Sequence, residues 1–194
     1  MVFVKNKTSK KIRTAHRYLG LFLGIQFLFW TISGLYFSWT DLDEIHGDHY
    51  KKLPVKKEYK NLLSPSEINF SNGIKSLELR EIADTPFYWI NENKLINAYN
   101  GVVKDSITKE EAIIISNNNI LEEYKIRDVE IINEVGNHHE YRGRPLPAFV
   151  ISYEGSDKLI SYISIKDGQF QTVRHRSWRW FDFLWMTHTM DYET

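Results

Sequence analysis

The chain's seven histidines carry most of its capacity for coordination chemistry, because it contains no cysteine. The absence of thiols removes disulfides, thiolate metal sites and cysteine nucleophiles together. It suits an extracytoplasmic domain of a bacterium, and many cytosolic proteins share it. His16 stands at the start of a long apolar run, where a neutral imidazole can serve as an axial ligand to haem iron or can simply be solvated. His46-Gly47-Asp48-His49, with Asp41, Asp43 and Glu44 close by, offers imidazole and carboxylate ligands for a divalent metal ion. It meets no strict metal-site spacing, and a solvated loop is the alternative. His138-His139-Glu140 lies beside Gly136, Gly143 and Pro145 and reads as an exposed polar connection. His175 sits among Arg174, Arg176 and Arg179, a poor setting for a cation and a better one for lipid phosphates or another anionic ligand. No Gly-rich phosphate loop, nucleotide fingerprint or Ser-His-Asp grouping is present. Any reduction chemistry would therefore draw its electrons from another protein or from quinol.

The element that positions His16 is the run from Leu19 to Trp39, LGLFLGIQFLFWTISGLYFSW, which holds no charged residue. About 20 apolar residues in a helix cross a bilayer core of about 30 Å, so a transmembrane helix is expected over 18–39. The apolar core is too long for a cleavable signal peptide, and no small-x-small site follows, so the span reads as an uncleaved anchor. Lys5, Lys7, Lys10, Lys11, Arg13 and Arg17 precede it, whereas Asp41, Asp43, Glu44 and Asp48 follow. This bias places the N-terminus in the cytoplasm and the main domain outside, at a bacterial inner membrane. Lys51, Lys52, Lys56, Lys57 and Lys60 weaken it from the far side. His16, Gly20, Gly24, Phe27, Thr31, Gly34 and Ser38 share one sector of the helix, and its small residues suit close packing of a second helix. A monomeric anchor with incidental glycines is the alternative. Ser177 to Met190, rich in Trp and Phe with few charges, reads as a helix lying on the membrane or entering it, with Trp178, Phe181 and Trp185 on one face as a possible cofactor lid.

Equal numbers of acidic and basic residues, 25 each in 194, give no global field for nucleic acid. The polar remainder has an α+β pattern. A capping box at Ser64-Pro65-Ser66-Glu67 opens a short helix, followed by strands over 75–82, 86–90 and 94–99, with a turn at Asn91-Glu92-Asn93. A second box at Thr108-Lys109-Glu110-Glu111 opens another helix, followed by strands over 127–135, 148–153, 159–165 and 169–173. KLINAYNGVV from Lys94 echoes KLISYISIKDGQFQTV from Lys158, each with Lys-Leu-Ile and then a glycine turn. The two halves thus read as copies of one helix-plus-three-strand unit. The expected layout is a basic leader over 1–17, the span, a juxtamembrane linker over 40–63, units over 64–107 and 108–176, and an interfacial helix over 177–194.

With His16-Arg17-Tyr18-Leu19-Gly20-Leu21 at the span's entry, LYFSWTDLDEIHGDH from Leu35 at its exit, and Trp180 to Tyr192, WFDFLWMTHTMDY, near the end, the chain resembles the PepSY family of membrane proteins along nearly its whole length. The resemblance implies two units, each a helix packed on a small antiparallel sheet. It also implies b-type haem held by membrane-helix histidines, here His16 and His188, and a role in reducing ferric siderophores or passing electrons to flavoprotein partners. For His188 an interfacial histidine is the alternative. Family members re-enter the membrane after the stretch matching His188 to Tyr192, so a second helix is expected from a missing C-terminal segment, a homo-oligomer or a partner. Soluble relatives inhibit or regulate proteases, which gives a second expectation, a non-catalytic tethered module that binds a protease, peptide or envelope protein.

Overall fold

A computed structural model describes residues 6–55, 57–68 and 73–191. Lys5, Lys56 and Tyr192, named above, lie outside the described residues. The fold is α+β, with one long apolar N-terminal helix and two small antiparallel sheets. The long helix, α1 (Asn6–Trp39), is long and apolar enough to cross a membrane. At about 1.5 Å per residue its 34 residues extend about 50 Å, so it absorbs the described part of the basic leader. Leu19, Phe22, Phe27 and Leu35 along it are exposed, as lipid-facing side chains would be.

Parts of 40–63, expected as a juxtamembrane linker, pack on the domain. Asp41 accepts from the Asp43 N–H and caps the single-turn α2 (Leu42–Ile45). Ile45 and Tyr50 are buried, the Tyr50 carbonyl accepts from the Leu121 N–H, and the Lys52 N–H donates to the Asn119 carbonyl. Further on, the Leu63 N–H reaches the Ala98 carbonyl. Ile45 and Tyr50 are the side chains that anchor the segment, while Leu53 and Val55 remain exposed.

The first sheet is a meander of β1 (Leu77–Ile82), β2 (Thr85–Ile90), β3 (Lys94–Asn97) and β4 (Val103–Lys104). β1 and β2 join through Ala83 and Asp84, both at positive φ, the geometry that a two-residue hairpin between right-twisted strands requires. The Ser64 capping box is present, but it opens only one 3-10 turn, Pro65–Glu67. Ile68 then turns extended and packs with Leu62 and Leu77 against Tyr88, Ile90 and Ile96. In the second unit the Thr108 box caps α3 (Lys109–Asn119), which leads to β5 (Ile126–Ile132), β6 (Ala148–Tyr153), β7 (Ile160–Ser164) and β8 (Phe170–Arg174), again a meander.

Each unit therefore has four strands, the fourth of the first being only two residues long. The equivalence of the halves rests on the glycine turns. Gly101 N–H donates to the Asn97 carbonyl and Asn97 N–H to that of Val102; Gly168 N–H donates to Ser164 and Ser164 N–H to Gln169. Asn97 thus matches Ser164, which sets Lys94 opposite Ser161. The Lys-Leu-Ile echo is out of register, because Lys158 and Leu159 precede β7.

The two sheets share one core. Ile82, Phe87, Trp89 and Leu95 of the first pack with Phe149, Ile151, Ile163 and Val173 of the second, and with Ala112 and Ile115 of α3. Arg80 pairs with Asp167 across the units, and the Ile107 N–H donates to the Ile165 carbonyl at 2.9 Å. A Cβ on Gly168, at φ +67°, would stand 3.0 Å from Ile82 Cγ1 and 3.1 Å from Ile107 Cγ2. At Gly101, φ +72°, it would meet only Leu63 Cδ1 at 3.5 Å. Gly101→Ala should cost about 1 kcal/mol for the left-handed backbone alone. Gly168→Ala adds overpacking of about 1–3 kcal/mol. Denaturant midpoints of the two variants measure the difference, and equal losses would refute the close approach.

His175, fully buried, joins the α1 end of the molecule to the second sheet. Its Nε2 donates to the Ile45 carbonyl at 3.2 Å, and its ring packs on Tyr50 and His49. Burial holds its pKa below the ordinary histidine range; His49 and Arg179 add to this, while the Ile45 carbonyl and Asp157 oppose it. The unfolded chain then binds a proton that the folded one refuses, so stability from this residue is present above about pH 6.5. It is lost as pH falls through that value and on through the lower folded pKa. The thermal midpoint should drop between pH 7.5 and 5, with a shallower slope in His175→Gln.

Candidate functional site

The second sheet feeds directly into α4 (Arg176–Thr189). Two bidentate pairs fix the start of this helix to the loop before β6. Arg142 donates to Asp182 at 2.6 and 3.1 Å, and Arg179 to Glu140 at 2.6 and 3.0 Å. Glu140 also accepts from the Tyr162 hydroxyl at 2.7 Å.

Held this way, α4 runs back along α1, antiparallel. Phe181 and Trp185 pack on Phe37 at ring distances of 4.9 and 5.7 Å. One turn on, His188 stacks on Trp30 at 5.4 Å and meets Phe37 edge-on at 5.5 Å. The last carbonyls of a helix have no partner within it. Here α1 serves: Gln26 Nε2 donates to the Thr187 carbonyl at 3.2 Å, and Trp30 Nε1 donates to that of His188. Trp178, expected on the same face as Phe181 and Trp185, stacks over the Arg174 guanidinium instead.

The His188 imidazole is oriented by Ser33, which is fully buried and lies 2.7 Å from its Nδ1. Ser33 Oγ is also 2.7 Å from the Phe29 carbonyl, which can only accept, so the serine proton is engaged there. For a neutral ring, the network makes Nδ1 the donor and leaves the lone pair on Nε2. That is the tautomer a metal-ligating histidine needs, with its other nitrogen held by an outer hydrogen bond.

The other expected residues lie elsewhere. His16 is exposed on α1, and 17 residues at about 1.5 Å each set it about 26 Å along the helix from Ser33, so it shares no site with His188. Gly20, Gly24 and Gly34 would meet nothing within 4 Å on gaining a Cβ, and Thr31 bonds its own helix at the Phe27 carbonyl. The face α4 occupies is a neighbouring stripe, Gln26, Trp30, Ser33 and Phe37. Its spacing of four, three and four marks one side of a helix. Gln26, the sole side-chain amide in the run from Leu19 to Trp39, was the signal available in the sequence. His46 follows α2 and is exposed, while His49 stacks on Tyr50 at 4.0 Å. Among the described residues no three histidines and carboxylates gather closely enough to hold a metal ion. His139 Nδ1 accepts from the Tyr141 N–H and tightens its loop.

A double-mutant cycle of Ser33→Ala and His188→Ala tests the contact. Interhelical hydrogen bonds in apolar surroundings couple by about 0.6 kcal/mol on average and up to about 1.7. The coupling, read from thermal midpoints in detergent, should fall in that range; additive effects would dissolve the pair. No family model matches this chain, and no curated protein or solved structure matches it.

Proposed function

We propose that this chain is a membrane-anchored protein of PepSY type, serving as a haem-linked electron-transfer component of iron or siderophore uptake. The observation that carries the reading is His188, held through Nδ1 by Ser33 on the facing helix and left with a lone pair on Nε2. The repeated helix-and-meander unit supports the PepSY assignment, since both halves pair a capping-box turn or helix with a four-stranded sheet. In this reading α1 spans the bacterial inner membrane with its basic end in the cytoplasm, and the two-sheet domain faces outward to meet a ferric complex.

The residues present fit one axial imidazole, that of His188, for a b-type haem. A haem there would supply a one-electron carrier within the apolar layer. Ser33 fixes the tautomer, Trp30 and Phe37 confine the ring, and Gln26 with Trp30 holds the end of α4 against α1. A further ligand would come from another helix, for which the small-residue face of α1 offers a place to pack. His16, at the far end of that face, would hold a separate haem.

The visible spectrum of the protein extracted from native membranes in mild detergent, oxidised and dithionite-reduced, tests this. A b-type spectrum is expected, with the haem content of folded His188→Ala reduced several-fold. A colourless folded preparation overturns the electron-transfer reading. It would favour a tethered binding module, for which β5 is the relevant surface: a seven-residue edge strand paired only with β6, able to accept a peptide strand from a protease or envelope protein.

A further inference from the structure

Where the helix pair meets the domain, a cleft of about 440 Å³ opens between the turn after α2, the loop before β6, strand β8 and the first turn of α4. Its lining includes His46, Lys51, Arg144, Arg174 and Trp178 and no carboxylate side chain. Neither arginine forms an ion pair among the described residues. Arg174 is nine-tenths buried, yet its partners are the Glu140 and Val173 carbonyls and the Thr172 hydroxyl, all neutral. Its Nη2 has no hydrogen-bond partner among the described residues. Arg144 spends one N–H on the Gln171 carbonyl and has no ion pair among the described residues. Of the nearby acids, Glu140 is engaged by Arg179 and Tyr162 and Asp182 by Arg142, while Asp48 pairs with the cleft's own Lys51 at 2.7 Å, so the cations left without a carboxylate are Arg144 and Arg174.

A buried guanidinium without a carboxylate is costly unless an anion completes it. Burial, with Arg144 repelling it, pushes the Arg174 pKa down to about 10, against the opposing influence of Glu140, Tyr162 and Asp182. Trp178 stacks over the guanidinium at 3.9 Å and holds its plane fixed. We infer that this cleft binds a phosphate group, gripped by the Arg144 and Arg174 forks, with the Lys51 ammonium and the His46 imidazole at its edge as further hydrogen-bonding groups. Two planar forks and an ammonium approaching from separate elements suit a tetrahedral anion with several acceptor oxygens better than a flat carboxylate. The cleft's position gives the phosphate two sources. His46 lies just past the Trp39 end of α1 and Trp178 in the first turn of α4, the level at which lipid headgroups surround a spanning α1. A soluble phosphate could reach the same opening from outside. The site requires no haem and stands apart from the electron-transfer reading.

The full chain, purified in a neutral maltoside detergent and freed of lipid, is titrated with short-chain phosphatidylglycerol, inorganic phosphate and, as a control at matched ionic strength, acetate. Thermal midpoint and native mass spectrometry read the binding. Saturable binding of the lipid alone assigns a headgroup, that of inorganic phosphate alone assigns a soluble anion, and binding of both assigns the phosphate group itself; each supports the site. Arg144→Gln, at a half-buried position whose single bond is to a carbonyl, should weaken the binding about tenfold, the loss expected for a hydrogen bond to a charged group. Arg174→Lys should do so at least as strongly if it folds. Absence of saturable binding, equal protection by acetate, or a folded Arg144→Gln variant that binds as the wild type does would overturn the inference.

Discussion

A helix that ends in apolar surroundings leaves carbonyl groups that neither water nor its own backbone can satisfy. In the pairing of α4 with α1, the last carbonyls of α4 find their donors on the facing helix. Gln26 and Trp30 reach the Thr187 and His188 carbonyls, and Ser33 takes the His188 ring. Each of these donors would itself be expensive if left unpaired on a lipid-facing helix. The two helices therefore satisfy one another, and the aromatic contacts of Phe37 with Phe181 and Trp185 then fill the space above. Rigid placement of the His188 imidazole is a by-product of that mutual satisfaction.

The domain keeps α4 aimed. A helix of 14 residues held only at its far end would swing, but the Arg142–Asp182 and Arg179–Glu140 pairs grip its first two turns, and both acceptor geometries are bidentate. Glu140 is fixed in turn by Tyr162 of β7, whose ring stacks on Tyr141 at 4.6 Å. The aim of the helix is thus inherited from the second sheet. That sheet shares its core with the first, so the whole two-sheet body acts as the mount. The buried His175 and Tyr50 close the remaining side by tying the α2 turn to the β8–α4 junction.

Local signals in the sequence were legible where one physical rule dominates. The Thr108 box produced α3 because nothing competes with it, and the alternating runs became strands at nearly the expected limits. The Ser64 box obeyed the same local rule, but tertiary packing of Ile68 overrode its continuation. The Lys-Leu-Ile echo misled because identity over three residues says nothing of register, whereas the glycine turns, which need positive φ, do. The α1–α4 stripe was harder to read. Gln26, Trp30, Ser33 and Phe37 share no property beyond spacing, and each answers a different need of the partner helix, which the sequence of α1 alone does not contain.

Two stripes on α1 follow different physics. The one α4 covers is built from donors and rings matched to particular groups, so it specifies a partner and an orientation. The other, with Gly20, Gly24 and Gly34, offers close approach and little else, and no described residue lies near it. Small residues favour contact in lipid through backbone proximity and are indifferent to the chemistry of what arrives. The intramolecular partner therefore took the face with information in it. A second helix on the glycine face would add packing without disturbing Ser33 or Trp30, since those groups are already spent on α4. An assembly around α1 can in this way grow by one helix while the His188 environment stays as the chain itself builds it.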